Sequence, residues 1–289
     1  MASPSAVLAF EAIGTPWQIE TEAPLPASVS AAVADRIEAF DSTWSRFRDD
    51  SLVARIAASG GTWRFPAEAG PLFDVYRALY EATDGAVSPL VGRSLERLGY
   101  DSAYSLRPTG AAAPAPAWDD AFAWDGETLT THAPVVLDVG AAGKGYLVDL
   151  VSGILREAGL TEFVVDASGD IVHAGTGVTR VGLEHPLDPS KAIGIARLAN
   201  GSLCASASNR RAWGNGLHHV VDATTGLPTS SVIATWVMAP TALVADGLAT
   251  GLFFADAASF AALGRFNWVR MFSTGRVERS ADFDGELFA

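Results

Sequence analysis

The chain has 289 residues, 49% of them hydrophobic and 18% charged, which is enough apolar material for one large domain or two closely joined lobes and excludes disorder throughout. Lys and Arg number 20 against 33 Asp and Glu, a net charge of -13, and no basic run interrupts that balance, so nucleic acid is a poor partner. The single cysteine, Cys204, excludes an intrachain disulfide and a thiolate metal cluster and fits a reducing compartment. The opening MASPSAVLAFEAIGTPW lacks the basic start and long apolar run of a secretory leader, and no stretch reaches the roughly 18 uncharged apolar residues of a membrane span. The reading is a cytoplasmic protein with no membrane span.

In chain order, Val29, Val33, Ile37, Phe40 and Trp44 recur three or four apart and predict a helix over 29–44, with Ser28 as its N-cap. A second helix is expected from Pro71, burying Leu72, Val75, Tyr76 and Leu79 and stopping at Asp84-Gly85. The stretch Arg107–Trp118, rich in Pro, Gly and Ala, reads as a surface loop that separates two lobes. Beyond it, strand-like runs fall at Val135–Val139, Glu162–Val165, Arg180–Leu183, Ile193–Leu198, His219–Asp222, Val232–Ala239 and Trp268–Ser273. Helical patterns interrupt them at Lys144–Ala158, ending at Gly159, and at Thr241–Phe254, after Pro240. Strands in a run with few helices between them predict an α+β fold with mainly antiparallel sheets and flanking helices.

Four segments carry polar groups where chemistry needs them. Asp138-Val-Gly-Ala-Ala-Gly-Lys-Gly-Tyr-Leu-Val-Asp149 runs from a strand end through small residues into a helix, so backbone N–H groups and Lys144 can meet an anion. The glycine spacing matches neither a Walker loop nor G-x-G-x-x-G, and a tight strand-to-helix turn explains the small residues equally well. Asp166-Ala-Ser-Gly-Asp170 is either a hairpin turn or a second close approach of backbone to the same ligand. His218 and His219 are adjacent on a predicted strand and so face opposite ways, with Asp222 nearby to orient an imidazole. Asp246 and Thr250 are four apart on a helix; their hard oxygens suit Mg²⁺ better than Zn²⁺, although a mutual hydrogen bond or a helix-dipole role accounts for them as well.

Taken in order, these segments resemble the ApbE family of FAD:protein FMN transferases. The resemblance runs from Ala12-Ile-Gly-Thr-Pro-Trp17 through Ser45-Arg-Phe-Arg-Asp-Asp-Ser51, Asp84-Gly-Ala-Val-Ser-Pro-Leu90 and the Lys144-Gly145-Tyr146 turn. It continues through Ala167–Asp170, Ser206, the His-His-Val-Val-Asp and Thr-Gly-Leu-Pro run, and Ala245–Thr250. It implies one ApbE-like FAD-binding domain over 1–289, with FAD as substrate, Mg²⁺ as cofactor and an acceptor flavoprotein flavinylated on Ser or Thr. By the same resemblance Ile13, Phe47, Ala86, Val87, Ser88 and Lys144 match flavin-site positions. Asp246 and Thr250 match metal-ligand positions, with Leu147 as a backbone-carbonyl ligand, and His219 matches the histidine that activates the acceptor hydroxyl.

The chain departs from the family pattern at three places: Ser88-Pro89-Leu90 replaces Asp-Pro-Thr, Ala205-Ser206-Ala207 replaces Thr-Ser-Gly, and Ala249 stands where some members carry a second metal-binding Asp. Besides FMN transfer, the sequence leaves open an FAD-binding protein that has lost transfer, serving redox or storage, and an FAD pyrophosphatase.

Overall fold

The computed structural model describes residues 6–288; the sequence reading of the extreme N-terminus rests partly on residues 1–5, which lie outside the described residues. The chain opens on a hairpin of β1 (Ala6–Ala12) and β2 (Thr15–Thr21), closed by the two-residue turn Ile13-Gly14. Both turn residues have positive φ, 45° and 73°, the hand that matches strand twist. For a β-branched Ile that conformation is strained, and Ile13 is held in it at the wall of the cavity described below.

The first predicted helix is α1 (Ala27–Trp44), begun by Pro26 rather than by Ser28. The Pro26 carbonyl accepts from Val29 and Ser30, so Ser28 falls inside the first turn, exposed and without a capping role. Next come α2 (Leu52–Ala58), capped by the Ser51 hydroxyl, then β3 (Gly61–Arg64) and α3 (Ala69–Ala82). Pro71 sits in the first turn of α3, where its missing N–H costs no hydrogen bond, and Asp84 and Gly85 end the helical region at φ 50° and 87°. α4 (Gly92–Arg97) precedes the Pro-rich stretch, which is irregular as far as the single turn α5 (Trp118–Ala121); β4 (Phe122–Trp124) and β5 (Thr128–Thr131) then pair with β3 in the order β3-β5-β4.

The strand expected over Val135–Val139 does not form. Val135, Val136 and Leu137 are buried, but before the turn the run makes a single backbone bond among the described residues, from Asp138 to the Pro89 carbonyl, and no strand pairs with it there. An apolar run buried by packing looks identical, in sequence, to one buried in a ladder.

The remaining elements are α6 (Gly143–Glu157), β6 (Phe163–Asp166), β7 (Asp170–Ala174), β8 (Thr179–His185), β9 (Asp188–Leu198) and β10 (Gly201–Ala207). Two short pairs follow, β11 (Ala212–Trp213) with β12 (Leu217–His218) and β13 (Val221–Asp222) with β14 (Leu227–Pro228). The chain finishes with β15 (Val232–Ala239), α7 (Ala242–Gly251), β16 (Asn267–Phe272), β17 (Val277–Arg279) and β18 (Gly285–Leu287). The expected strand His219–Asp222 is therefore broken: His219 lies in the bend between β12 and β13.

An eight-stranded sheet, β1-β2-β6-β7-β10-β15-β16-β17, is antiparallel at every pairing, and the small sheet β18-β9-β8 lies on its other side from the helices. The period-two alternation of β15 shows how: Val237 and Ala239 join the core under α6 and α7, while Ala234 and Trp236 join the core shared with Leu183 and Ala196. On α6, Leu147, Val148, Val151 and Leu155 are fully buried, each worth ~1.5–3 kcal/mol of gross hydrophobic stabilisation.

Two features fix α7 against α6. A Cβ on Gly145 would come within 2.2 Å of the Ala242 carbonyl oxygen, so only glycine permits this approach. Asp149, on the next turn of α6, accepts hydrogen bonds from the Ala242 and Leu243 N–H groups at 2.9 and 2.8 Å and so caps the N-terminus of α7 across the interface.

Candidate active site

A cavity of about 690 Å³ opens where the two helices meet the ends of the central strands. Its walls come from both hairpin turns, Ile13–Thr15 and Ser168–Gly169, from Ser45–Arg48 after α1, from Ala86–Ser88, from the start of α6, and from α7 through Asp246 and Thr250. Arg210, Arg211 and His219 add further wall. The size suits a dinucleotide-scale ligand rather than a bare ion.

Each hairpin serves twice. Ser168 and Gly169 turn the chain at φ 56° and 101°, with Gly169 N–H bonded to Asp166, and both also line the cavity; the two readings of Asp166–Asp170 are thus compatible. The Ser168 hydroxyl donates to the Pro16 carbonyl at 2.9 Å and ties the two turns together.

At the helix junction the Lys144 ammonium lies 2.6 Å from Asp170 Oδ2 and donates to the Ala167 carbonyl at 3.0 Å. Asp246 Oδ2 accepts from the Gly145 N–H at 2.9 Å. Asp170 is fully buried and Asp246 is 5% exposed, so two carboxylates share one ammonium in a poorly solvated place. Burial, reinforced by the charge of Asp170, pushes the Asp246 carboxyl well above the usual carboxylate range, and burial raises Asp170 more than Lys144 lowers it. Burial alone would lower Lys144; Asp170 and Asp246 overcome it and raise the ammonium instead.

This excess of negative charge is what a divalent cation would relieve. The Thr250 hydroxyl donates to the Ala141 carbonyl at 3.3 Å, which sets two more hard oxygens on the same cavity wall as Asp246. Among the described residues no group of three or more His, Cys, Asp or Glu side chains gathers to hold a metal. Few protein oxygens plus ligand phosphates is the habit of Mg²⁺, and the donor set fits it. Leu147, the carbonyl donor expected from the sequence, is fully buried on the core side of α6 and is not part of the cavity wall. The backbone carbonyl brought to Thr250 is that of Ala141; its signal was the small-residue run Gly140–Gly143.

The two histidines separate as alternation required, though by a bend rather than a strand. His218 is buried, with Nε2 2.8 Å from the Thr229 carbonyl and Nδ1 accepting from Val220 N–H. His219 lines the cavity, and its Nδ1 has no hydrogen-bond partner among the described residues. Burial first, then the neighbouring Arg211 charge, push the imidazole down to about 4, so it is neutral at pH 7 and able to accept a proton.

Other expected residues also reach the cavity. Ala86, Val87 and Ser88 line it, the Val87 N–H being held by the Thr83 hydroxyl while Ser88 accepts from the Leu90 N–H. Phe47 lines it too, but Tyr104 stacks on its ring at 4.8 Å and the Arg46 guanidinium lies 4.2 Å from its centroid. Arg46 is anchored by Asp138 at 2.5 Å and by the Tyr100 carbonyl at 2.8 Å, a pairing that sequence separation hid. Burial would raise Asp138, but Arg46 holds it below the usual carboxylate range. Ala249 is fully buried against the core and outside the cavity wall.

A sequence model of the ApbE family matches residues 13–268. The chain belongs to the ApbE family. Among curated ApbE-type relatives, the FAD:protein FMN transferase of Salmonella typhimurium is 27% identical over 282 residues, covering 87% of this chain and 79% of that protein. The Escherichia coli FAD:protein FMN transferase is 24% identical over 276 residues, covering 85% and 77%. Among solved structures, the ApbE protein of Thermotoga maritima superposes with a TM-score of 0.83 at 23% identity, covering 96% of this chain and 97% of that one. The flavin transferase ApbE of Vibrio cholerae gives 0.79 at 20% identity, with the same coverage. The α+β architecture with antiparallel sheets and flanking helices is therefore the ApbE fold.

Proposed function

We propose that this chain, taken as one domain over 1–289, is a Mg²⁺-dependent FAD:protein FMN transferase of the cytoplasm, moving FMN from FAD to a Ser or Thr hydroxyl of an acceptor flavoprotein. The observation that carries the reading is a cavity whose wall carries a neutral histidine, His219, together with the Asp246 carboxylate beside the Thr250 hydroxyl, Asp170 being buried behind that wall against Lys144. Membership of a family whose curated relatives bear that name supports it. No helix among the described residues is long and apolar enough to cross a membrane.

In this reading Ile13, Phe47, Ala86, Val87, Ser88 and Lys144 bind and orient the flavin nucleotide. Asp246, Thr250 and the Ala141 carbonyl would hold Mg²⁺, which would supply positive charge to offset negative charge on phosphate oxygens. His219 takes the proton from the acceptor hydroxyl as its oxygen bonds to the FMN-side phosphorus; the P–O bond to the AMP phosphate breaks and AMP leaves with that electron pair.

The test is incubation with FAD, Mg²⁺ and a Ser/Thr acceptor peptide, read by intact mass and by nucleotide chromatography. FMN mass on the peptide with equimolar AMP is the expected result. FMN and AMP free in solution would identify a pyrophosphatase, and intact bound FAD a storage or redox protein.

A further inference from the structure

Among the described residues, five cationic side chains line the cavity: Arg46, Arg48, Lys144, Arg210 and Arg211. Four of them are already neutralised, Arg46 by Asp138, Arg48 by Glu38, Asp41 and Asp50, Lys144 by Asp170, and Arg210 by Glu184. Arg211 alone has no carboxylate within ion-pair distance among the described residues. Its Nη1 instead donates to the phenol oxygen of Tyr100, a neutral acceptor that orients the guanidinium without cancelling its charge.

That support is itself rigid. The Tyr100 carbonyl accepts from Arg46, and its ring stacks on Trp213 at 5.6 Å, while the Trp213 indole N–H donates to the Leu98 carbonyl at 2.9 Å. Burial pushes the Tyr100 phenol up, so it stays protonated and neutral. On the other side, the Arg211 carbonyl accepts from the His219 N–H at 3.3 Å, which ties the residue's backbone to the proposed general base. In a chain with a net charge of -13, a half-buried guanidinium aligned by a phenol and left without a counterion among the described residues at a cavity wall is a built anion site. Its planar fork suits phosphate.

We infer that Arg211 is the phosphate anchor of this cavity, holding one phosphate of the dinucleotide's diphosphate beside His219. The identity of the ligand rests on the flavin-transfer reading; the anion site does not. Lys144 lines the same cavity and keeps its place at the flavin nucleotide, but its charge is paired with Asp170, so it is not the uncompensated cation that a phosphate would seek.

The experiment titrates the wild-type chain, Arg211→Gln, Arg211→Lys and Tyr100→Phe with FAD, ADP and the phosphate-free ligand riboflavin, across a salt series, with thermal melts to verify folding. Arg211→Gln should weaken FAD and ADP by about tenfold or more, flatten the salt dependence of FAD binding and leave riboflavin within about twofold of its wild-type affinity. Arg211→Lys, which keeps the charge but loses the fork, should recover part of the loss, and Tyr100→Phe should fall between. FAD affinity unchanged in Arg211→Gln, or lost with the wild-type salt dependence intact, overturns the inference. If ADP binds in an Arg211-dependent way while FAD does not bind at all, the flavin reading fails and the anion site stands.

Discussion

His218 and His219 are one bond apart in sequence and belong to different parts of the molecule. His218 is fastened at both ring nitrogens to the 218–229 turn, so His218→Gln should cost about 1 kcal/mol in urea unfolding while leaving FMN transfer per folded molecule near wild type. His219→Gln should depress transfer by roughly a hundredfold or more, with FAD binding retained, as expected for loss of a positioned base. The same residue makes stability depend on pH. Because burial and Arg211 hold its folded pKa at about 4, against ~6.5 when unfolded, the unfolded chain takes up the proton first as pH falls; the stability is complete above ~6.5 and lost on the way down to 4. Between about pH 8 and about pH 5.5 the wild type should therefore lose ~1.4 kcal/mol more than His219→Gln, measured by urea unfolding at each pH. Asp246 offers the complementary test: Asp246→Asn keeps the shape and the Gly145 contact but should abolish Mg²⁺-dependent turnover while FAD remains bound, and Thr250→Val should do so more mildly. Transfer by Asp246→Asn at the wild-type rate would make that carboxylate structural.

At the scale of elements, the site depends on how closely α7 approaches α6. Gly145→Ala places a Cβ 2.2 Å from a backbone oxygen and 2.6 Å from the Asp246 Cβ, neither of which can swing away, so the helices must part. The expected outcome is a loss of at least ~2 kcal/mol in unfolding and of Mg²⁺-stimulated activity together. Asp149→Ala removes one of the two caps on α7, leaving that of Thr241, and should cost ~1 kcal/mol, with a smaller effect on activity. The helices themselves were legible. Val33, Phe40 and Trp44 repeat at helical spacing and are buried, and Thr241 before α7 caps it through its side chain. The misreadings share one cause: Ser28 and Val135–Val139 have the right residue types for a cap and a strand, but Pro26 and the lack of a pairing neighbour, respectively, decided otherwise.

For the whole molecule, the cavity is assembled from segments as far apart as Ile13 and Thr250, so a ligand that fills it should couple them. FAD with Mg²⁺ should raise the melting temperature more than either alone, by an amount corresponding to ~2.7 kcal/mol at a hundredfold excess over Kd. A melting curve indifferent to FAD would argue that the cavity takes another ligand. The alternation of apolar residues and the placement of Gly, Pro and Thr, both local properties, were sufficient in the sequence to indicate an α+β chain with antiparallel strands. The ordered motifs also indicated the ApbE resemblance, and of the site residues it implied all but Leu147 line the cavity. What only the tertiary structure decided is which charges neutralise one another: Arg46 with Asp138, Lys144 with Asp170, and Arg211 with none among the described residues. It also set Ala141 rather than Leu147 beside Thr250. Ion pairing and carbonyl direction depend on distances between segments that are up to about a hundred residues apart in the chain, and no local pattern encodes those distances.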